Sequence, residues 1–407
     1  MKISRHSLIS GLSYALDIGG RKNFSHSKNT AYISALISKE MGLDEETTLD
    51  IYYAALLHDI GVSGEYIPYE HSEIGAAILQ KLPLSEEIPK YVLYHHEFYS
   101  GGGSRKLSDS YIPAGARIIC LASEFDDAFG KSGGYDIDLH LRIKRWLDEN
   151  QMKFAEEVVS AFKKLLDREY FLLDYFNQET KHMLSEKSPV KDEKYFGFAE
   201  IKRFALCFAE IVNHRSPFTL DHSKGVAKLA KKAAAFLGYD TEIQNKMYIA
   251  GLLHDIGQLY VHADILYKKG ELTPEERFEV KKHPYYTRKI LEQIQGFEDI
   301  AEFASNHHER LDGGGYPYHM GAGQLGELDM IMAICDVYQA LTEERPYRAS
   351  LSSEKAWDLI GEMAEEKRFD RALVKKLKYI LEDPAKTSGF EVDWEVGDKR
   401  EKFKHVA

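Results

Sequence analysis

The chain has 407 residues, of which 44% are hydrophobic and 29% charged, and its formal net charge is −12. That length holds two to three ordinary domains, and the composition is that of a soluble globular protein. The acidic balance argues against DNA wrapping or adhesion to an anionic membrane, both of which need a basic surface. A phosphate-bearing substrate would need local cations to overcome that field, and bound metals are one source of them.

The N-terminus, MKISRHSLIS, lacks the apolar centre of a signal peptide, and no run of about 18 apolar residues follows anywhere, so the expected location is the cytoplasm, with no membrane span. The three cysteines, Cys120, Cys207 and Cys335, are far apart and odd in number. They read as buried thiols in a reducing compartment rather than as disulfides or zinc ligands.

The first motif is HSKNTAYISALISKEMG from His26, and the second is IYYAALLHDIG at 51–61. Then come His71, the HHE run from His95, Gly101 to Gly103, and Glu124 after an Ile-rich stretch containing Cys120. LSEKSPVKDEKYF at 184–196 is polar and weak in periodicity, and suits a linker. Beyond it the same series recurs. HSKGVAKLAKKAAAFLG begins at His222 and MYIAGLLHDIG spans 247–257, both at an offset of 196. His283, His307-His308-Glu309, Gly313 to Gly315 and Asp336 follow at an offset of 212, so the second copy gains 16 residues, roughly VHADILYKKGELTPEE. Ten of the 17 histidines fall in five matched pairs, which establishes an internal duplication.

The local pattern is helical. Val226, Leu229, Ala233 and Phe236 recur at helical spacing, Pro284 suits a first helical turn, and Gly257 reads as a helix terminator. Alternating strands are scarce, so the expected fold is all-α: two tandem helix-bundle domains at 1–185 and 197–385, with a charged tail at 386–407.

In the second copy His222, His254, Asp255, His283, His307, His308 and Asp336 supply imidazoles and carboxylates from at least four helices. A single metal needs three or four protein ligands. Seven suit two metals bridged by one carboxylate, and Asp255, beside a ligand histidine at a helix end, is the natural bridge. His254 and Asp255 are accordingly the expected catalytic pair.

These motifs resemble the HD superfamily of metal-dependent phosphohydrolases, and its HD-GYP branch in particular. The resemblance covers about residues 200–360 through HDIG at 254–257, HP at 283–284, HHE at 307–309, DGGGYP at 312–317 and DVYQALTEERPYR at 336–348. It implies cleavage of a cyclic dinucleotide, cyclic di-GMP or cyclic GMP-AMP, at a two-metal centre in which iron or manganese is favoured. One ion would be held by His222, His254, Asp255 and Asp336, and the other by Asp255, His283, His307 and His308. Three-metal relatives carry a glutamate where this chain has Phe218, which points to two ions. Arg345, Arg348 and Gln258 stand where the family contacts substrate. Gln258 replaces the usual lysine and Gln339 the usual aspartate, which leaves room for a different dinucleotide.

The first copy matches all seven ligand positions with His26, His58, Asp59, His71, His95, His96 and Glu124, so it is a possible second metal cluster. Ser100, Ser104 and Arg105 replace the Asp, Tyr and Pro of the glycine loop, and Val62 replaces Gln258. This half reads as a degenerate HD domain, a scaffold, regulator or dimer contact. The expected reaction of the second half is in-line hydrolysis of a 3′–5′ phosphodiester to a linear dinucleotide, with a second cut to mononucleotides open. The alternatives are a non-catalytic cyclic-dinucleotide receptor and a nucleotide phosphomonoesterase of the wider superfamily.

Overall fold

A computed structural model describes residues 1–20, 25–62, 70–132, 134–177, 188–214, 220–266, 268–344 and 350–382. Arg345, Arg348, Phe218 and the tail at 386–407 lie outside the described residues. The fold is all-α. The first half runs through α1 (Arg5–Gly20), α2 (His26–Glu40), α3 (Glu45–Leu57), α4 (Glu70–Leu79), α5 (Glu87–Tyr94), α6 (Ala114–Phe129), α7 (Ile137–Asn150), α8 (Glu156–Leu166) and α9 (Glu169–Phe176). The second runs through α10 (Phe198–His214), α11 (Leu220–Phe236), α12 (Thr241–Leu253), α13 (Ala263–Leu266), α14 (Pro274–Val280), α15 (His283–Leu291), α16 (Glu298–Ser305), α17 (Glu327–Thr342), α18 (Ser353–Glu365) and α19 (Arg371–Leu381).

The duplication extends to the helix caps. Asp44 accepts from Thr47 N at the start of α3, and Asp240 accepts from Ile243 N at the start of α12. Each cap satisfies one N–H that the first turn leaves without an intrahelical partner. The two helices they open are apolar on every side, with Ile51–Leu57 and Met247–Leu253 buried, so each forms the central rod of its half. Around α12 lie α11, α16 and α10; around α3 lie α2, α5 and α1. Along α11, Val226 and Ala233 are buried as their spacing indicates, but Phe236 is half exposed, its ring edge-on to Tyr379 of α19. The 16-residue insert forms α13 and α14, the latter opened by a reciprocal Thr273–Glu276 capping box. All three cysteines are buried, and burial pushes each thiol's pKa up.

Helix α1 joins the halves. It packs on α2 and α3 of its own half, and also on α15 and the 3-10 turn Ile256–Tyr260 of the other. A Cβ at Gly11 would come within 2.3 Å of Ile294 Cγ1, so a glycine allows this close approach. Ser7 Oγ accepts from Gln295 N at 2.8 Å. The described end of the linker, 188–196, is tied down rather than loose. The two-residue strands Ile3–Ser4 and Tyr195–Phe196 pair antiparallel, and Asp192 receives hydrogen bonds from Arg5 Nε at 2.6 Å and from the Tyr53 hydroxyl.

Burial alone would raise the Asp192 carboxyl's pKa, but the hydrogen bonds from Arg5 and Tyr53 outweigh it and hold the group below the usual carboxylate range. A depressed carboxyl stabilises the fold fully above its unfolded pKa of about 3.9, and this contribution drains away as pH falls through the lower folded value. Asp192→Ala leaves Arg5 with a side chain 12% exposed and no counter-charge there. The expected loss is about 3 kcal/mol at neutral pH, shrinking in acid, read from denaturant melts at several pH values.

Candidate metal centre

Three of the candidate ligand positions sit at helix ends. In the second half His254 caps α12, His283 opens α15 and His307 follows α16. In all three, Nδ1 lies against the carbonyl three residues before: Gly251 O at 2.9 Å, Val280 O at 2.8 Å and Ala304 O at 2.6 Å. A carbonyl only accepts, so Nδ1 carries the proton and the Nε2 lone pair is turned into the centre. This is how metal-ligating histidines are oriented by their outer partners.

The Nε2 atoms converge. His283 Nε2 lies 3.2 Å from His307 Nε2 and 3.2 Å from Asp255 Oδ1. Asp255 Oδ1 is also 4.0 Å from His307 Nε2, and its other oxygen is 3.4 Å from His254 Nε2. Asp255 thus offers one oxygen to each side. Asp336 Oδ1 lies 3.0 Å from His222 Nε2 and 3.7 Å from His254 Nε2, and its Oδ2 lies 3.9 Å from His308 Nδ1. The structure therefore brings together all seven side chains singled out in the second copy. His283, His307 and His308 form one close-set group, and His222, His254 and Asp255 another, each with its ligand atoms within 4.8 Å of one another. Imidazole nitrogens facing one another across about 3 Å need a shared proton or a cation between them, and an imidazole and carboxylate donor set of this kind fits divalent metal ions.

Burial and the neighbouring imidazoles push the His307 and His308 pKa values well down. At His222 burial acts the same way, but Asp336 and Glu343 outweigh it and push the pKa up to about 10.

Gly257 has a different role from the one its place in the sequence suggests. Helix α12 already ends at Leu253, and Gly257 sits in the 3-10 turn that follows. A Cβ there would lie 2.0 Å from His283 O and 2.5 Å from Thr287 N. Glycine lets the two ligand-bearing segments touch, and Thr287 locks them by accepting from Gly257 N at 3.0 Å and donating to His254 O at 2.8 Å.

Several contributors escape sequence reasoning. Glu343 lies 3.1 Å from His222 Nδ1 and steers that ring. It stands seven residues after Asp336, two helical turns along the same face, which is the signal that could have found it. The buried carboxylate of Glu309 accepts from Tyr318 N at 2.7 Å and Met320 N at 2.9 Å, fastening the glycine loop beside the centre. Glu97 does the same in the first half, accepting from Arg105 N at 2.9 Å and Leu107 N at 3.1 Å. In that loop the Tyr316 ring lies 4.7 Å from the His308 ring, with Lys281 Nζ 5.4 Å from the Tyr316 ring. Gln258 Oε1 is buried with no hydrogen-bond partner among the described residues. Gln339 packs so closely on α11 that a Cβ at Gly225 would meet its amide at 2.2 Å.

In the first half His26, His58 and Asp59 form one close-set group, and His71, His95 and His96 another. Glu124, the sequence counterpart of Asp336, is not in either group; its carboxylate lies 4.0 Å from Lys153 Nζ and is 37% exposed. Asp126 instead meets His26 Nδ1 at 2.7 Å.

The HD domain family matches residues 207–373 and, separately, residues 23–128. The chain belongs to the HD domain proteins and carries two such domains in tandem. It is 29% identical over 371 residues to the 3′3′-cGAMP-specific phosphodiesterase 1 of Vibrio cholerae, spanning 86% of this chain and 85% of that protein. It is 37% identical over 149 residues, 36% of the chain and 35% of the relative, to a cyclic di-GMP phosphodiesterase of Pseudomonas aeruginosa. The solved structure of a cyclic GMP-AMP phosphodiesterase of V. cholerae superposes with a TM-score of 0.68 at 22% identity, covering 94% of this chain and 98% of that one, and so shares the fold. Among the described residues no helix is long and apolar enough to cross a membrane.

Proposed function

We propose that the second HD domain, taken as residues 197–385, hydrolyses a 3′–5′ phosphodiester of a cyclic dinucleotide, with cyclic GMP-AMP favoured over cyclic di-GMP. His222, His254, Asp255 and Asp336 would hold one divalent ion, and Asp255, His283, His307 and His308 the other, iron or manganese being favoured. The observation that carries this reading is the placement of the two Asp255 oxygens, 3.4 Å from His254 Nε2 and 3.2 Å from His283 Nε2. Two divalent ions so held supply Lewis-acid stabilisation of phosphoryl charge and an acidified water.

The chain's own residues do the rest. Lys281 beside Tyr316, and Arg310, whose charge bears on His308, place cations next to the centre of a protein whose net charge is −12. Tyr316 puts an aromatic ring 4.7 Å from the His308 ring, the kind of side chain on which a nucleobase stacks. Gln258 places a buried amide oxygen with an unmet acceptor beside the HD turn. An amide both donates and accepts, so it can pair with a base edge as lysine cannot. This supports a dinucleotide other than the symmetric one, in keeping with the name of the V. cholerae relative that matches 86% of the chain. Residues 1–185 would form the first, non-hydrolytic domain, and 386–407 a tail.

Cyclic GMP-AMP, cyclic di-GMP and a panel of nucleotide monophosphates, incubated side by side with anaerobically purified protein, test the reading. The expected result is a linear dinucleotide from cyclic GMP-AMP at a rate at least about tenfold above that from cyclic di-GMP, a difference of about 1.4 kcal/mol in the barrier. Full metal content with neither dinucleotide cleaved would move the protein to the receptor class. Release of phosphate from monophosphates alone would make it a phosphomonoesterase.

A further inference from the structure

We infer that the segment 390–396 docks back on the second domain of its own chain, along the outer face of α11, and straps the C-terminal tail to that helix. This goes beyond the function proposed for the second domain and depends neither on its metal centre nor on its substrate.

The receiving surface is a ridge on α11. Lys224, Lys228, Lys232 and Phe236 recur at every fourth position, so they lie in one row along the helix. Lys228 is exposed, and Lys224 and Lys232 are half-buried. The row ends on an aromatic pair. The Phe236 and Tyr379 rings meet edge-on at 6.5 Å, yet Phe236 is 48% exposed and Tyr379 62%. Exposed Lys375 and Lys376 stand one turn before Tyr379 on α19 and add to the positive charge. Acids nearby are Asp221, whose charge bears on Lys228, Asp358, which pairs with Lys378 at 3.8 Å, and Glu382 at the end of α19. Burial and the neighbouring Lys224 charge push the Lys228 pKa down, so the row repels itself and gains from an acidic ligand.

The chain carries such a ligand. Residues 390–396, outside the described residues, read FEVDWEV. Phe390, Val392, Trp394 and Val396 alternate with Glu391, Asp393 and Glu395, and no cation interrupts them. Alternation of this kind divides an extended segment into an apolar side and an acidic side, whereas a helix would spread both kinds around its axis.

Spacing and reach both fit. Two residues of extended chain advance about 6.7 Å and four residues of helix about 6 Å, so three successive acids keep step with three successive lysines. Helices α11 and α19 pack together, and a segment laid in the angle between them turns its acids to the lysine row and its apolar side to Phe236 and Tyr379. Tyr379 is in the last turn of α19, so the chain leaves that helix beside the aromatic pair. From Leu381 to Phe390 it can span up to about 30 Å, and the row from Phe236 to Lys224 is about 18 Å long, so the segment reaches the whole row of its own chain.

Zero-length carbodiimide cross-linking of the full-length protein tests the inference, with isotopically labelled and unlabelled chains mixed and the products read by mass spectrometry. The Lys246–Asp299 pair, 2.7 Å apart, is the internal control. The expected links join Glu391, Asp393 or Glu395 to Lys224, Lys228 or Lys232 within one chain. Links found only between labelled and unlabelled chains would overturn docking within the chain and give the surface to a second copy. Links only to other lysines, or the control link alone, would overturn the inference outright. Quenching of Trp394 by acrylamide, isolated by subtraction of a Trp394→Phe protein, gives the second readout. Lys228→Glu/Lys232→Glu should raise it about threefold by undocking the segment, and adding Asp393→Lys/Glu395→Lys should bring it back. Equal quenching in the wild type and Lys228→Glu/Lys232→Glu would overturn the pairing of acids with this row. The cross-links are read on the wild type, so they decide even if a variant fails to fold.

Discussion

His254→Ala/Asp255→Ala should all but abolish cyclic-dinucleotide cleavage, with an expected fall of about 10³-fold or more in kcat/KM. The size follows from the geometry. The two oxygens of Asp255 approach both histidine groups closely, at 3.4 Å from His254 Nε2 and 3.2 Å from His283 Nε2. Removing it would loosen both of the proposed ion positions at once, and loss of His254 would take away a further candidate ligand. Transition-state stabilisation by bound metal amounts to several kcal/mol, and about 4 kcal/mol corresponds to three orders of magnitude in rate. Single-turnover assays with excess metal separate the effects. A fall that excess iron or manganese restores fully would show that the pair sets affinity only, and a fall below about tenfold would mean that the chemistry lies elsewhere.

Gly257→Ala damages the same centre through the backbone and without removing a donor. The added methyl would sit 2.0 Å from His283 O and 2.5 Å from Thr287 N, and the atoms in its way are main chain, which cannot rotate aside. Overpacking of this kind costs about 3 kcal/mol when the surroundings are rigid. The strain falls on the junction that sets His254 and Asp255 against His283, so loss of metal should accompany the loss of stability. Gly61→Ala is the matched change in the first domain, with the new Cβ 2.0 Å from His71 O and 2.5 Å from Gly75 N. It should cost a similar amount and leave dinucleotide cleavage by the second domain in place. Thermal melts and metal content of both variants check this, and a Gly257→Ala protein with unaltered melting and metal would show that the turn relaxes more easily than its contacts indicate.

Much of the fold was legible because the helices that carry the histidines are also the core. The run at 51–57 and its twin at 247–253 are apolar without a stripe, which is the signature of a rod buried on all sides, and each ends directly on His-Asp. Ligands placed at helix ends keep their spacing when a domain is duplicated, so ten histidines in register exposed both the repeat and the residues that the fold gathers. The outer carboxylates were harder to see. Glu343 and Asp126 act on the far nitrogens of His222 and His26, and nothing in local spacing says which nitrogen of a ring a distant helix will meet. Glu97 and Glu309 stood in plain view within HHE, but their partners are backbone N–H groups of a loop whose path only the fold defines.

By itself, then, the amino-acid sequence determined an all-helical protein in two related halves, each with a histidine and aspartate set at fixed intervals, because apolar periodicity and ligand spacing are properties of one strand of chain. Tertiary structure alone decided that Asp255 and Asp59 each face two histidine groups, that Glu124 turns toward Lys153 where Asp336 turns inward, and that α1 lies across both halves. Those outcomes depend on the rotation of each helix about its axis and on which faces meet, and such long-range packing is set by the whole core at once rather than by any segment of it.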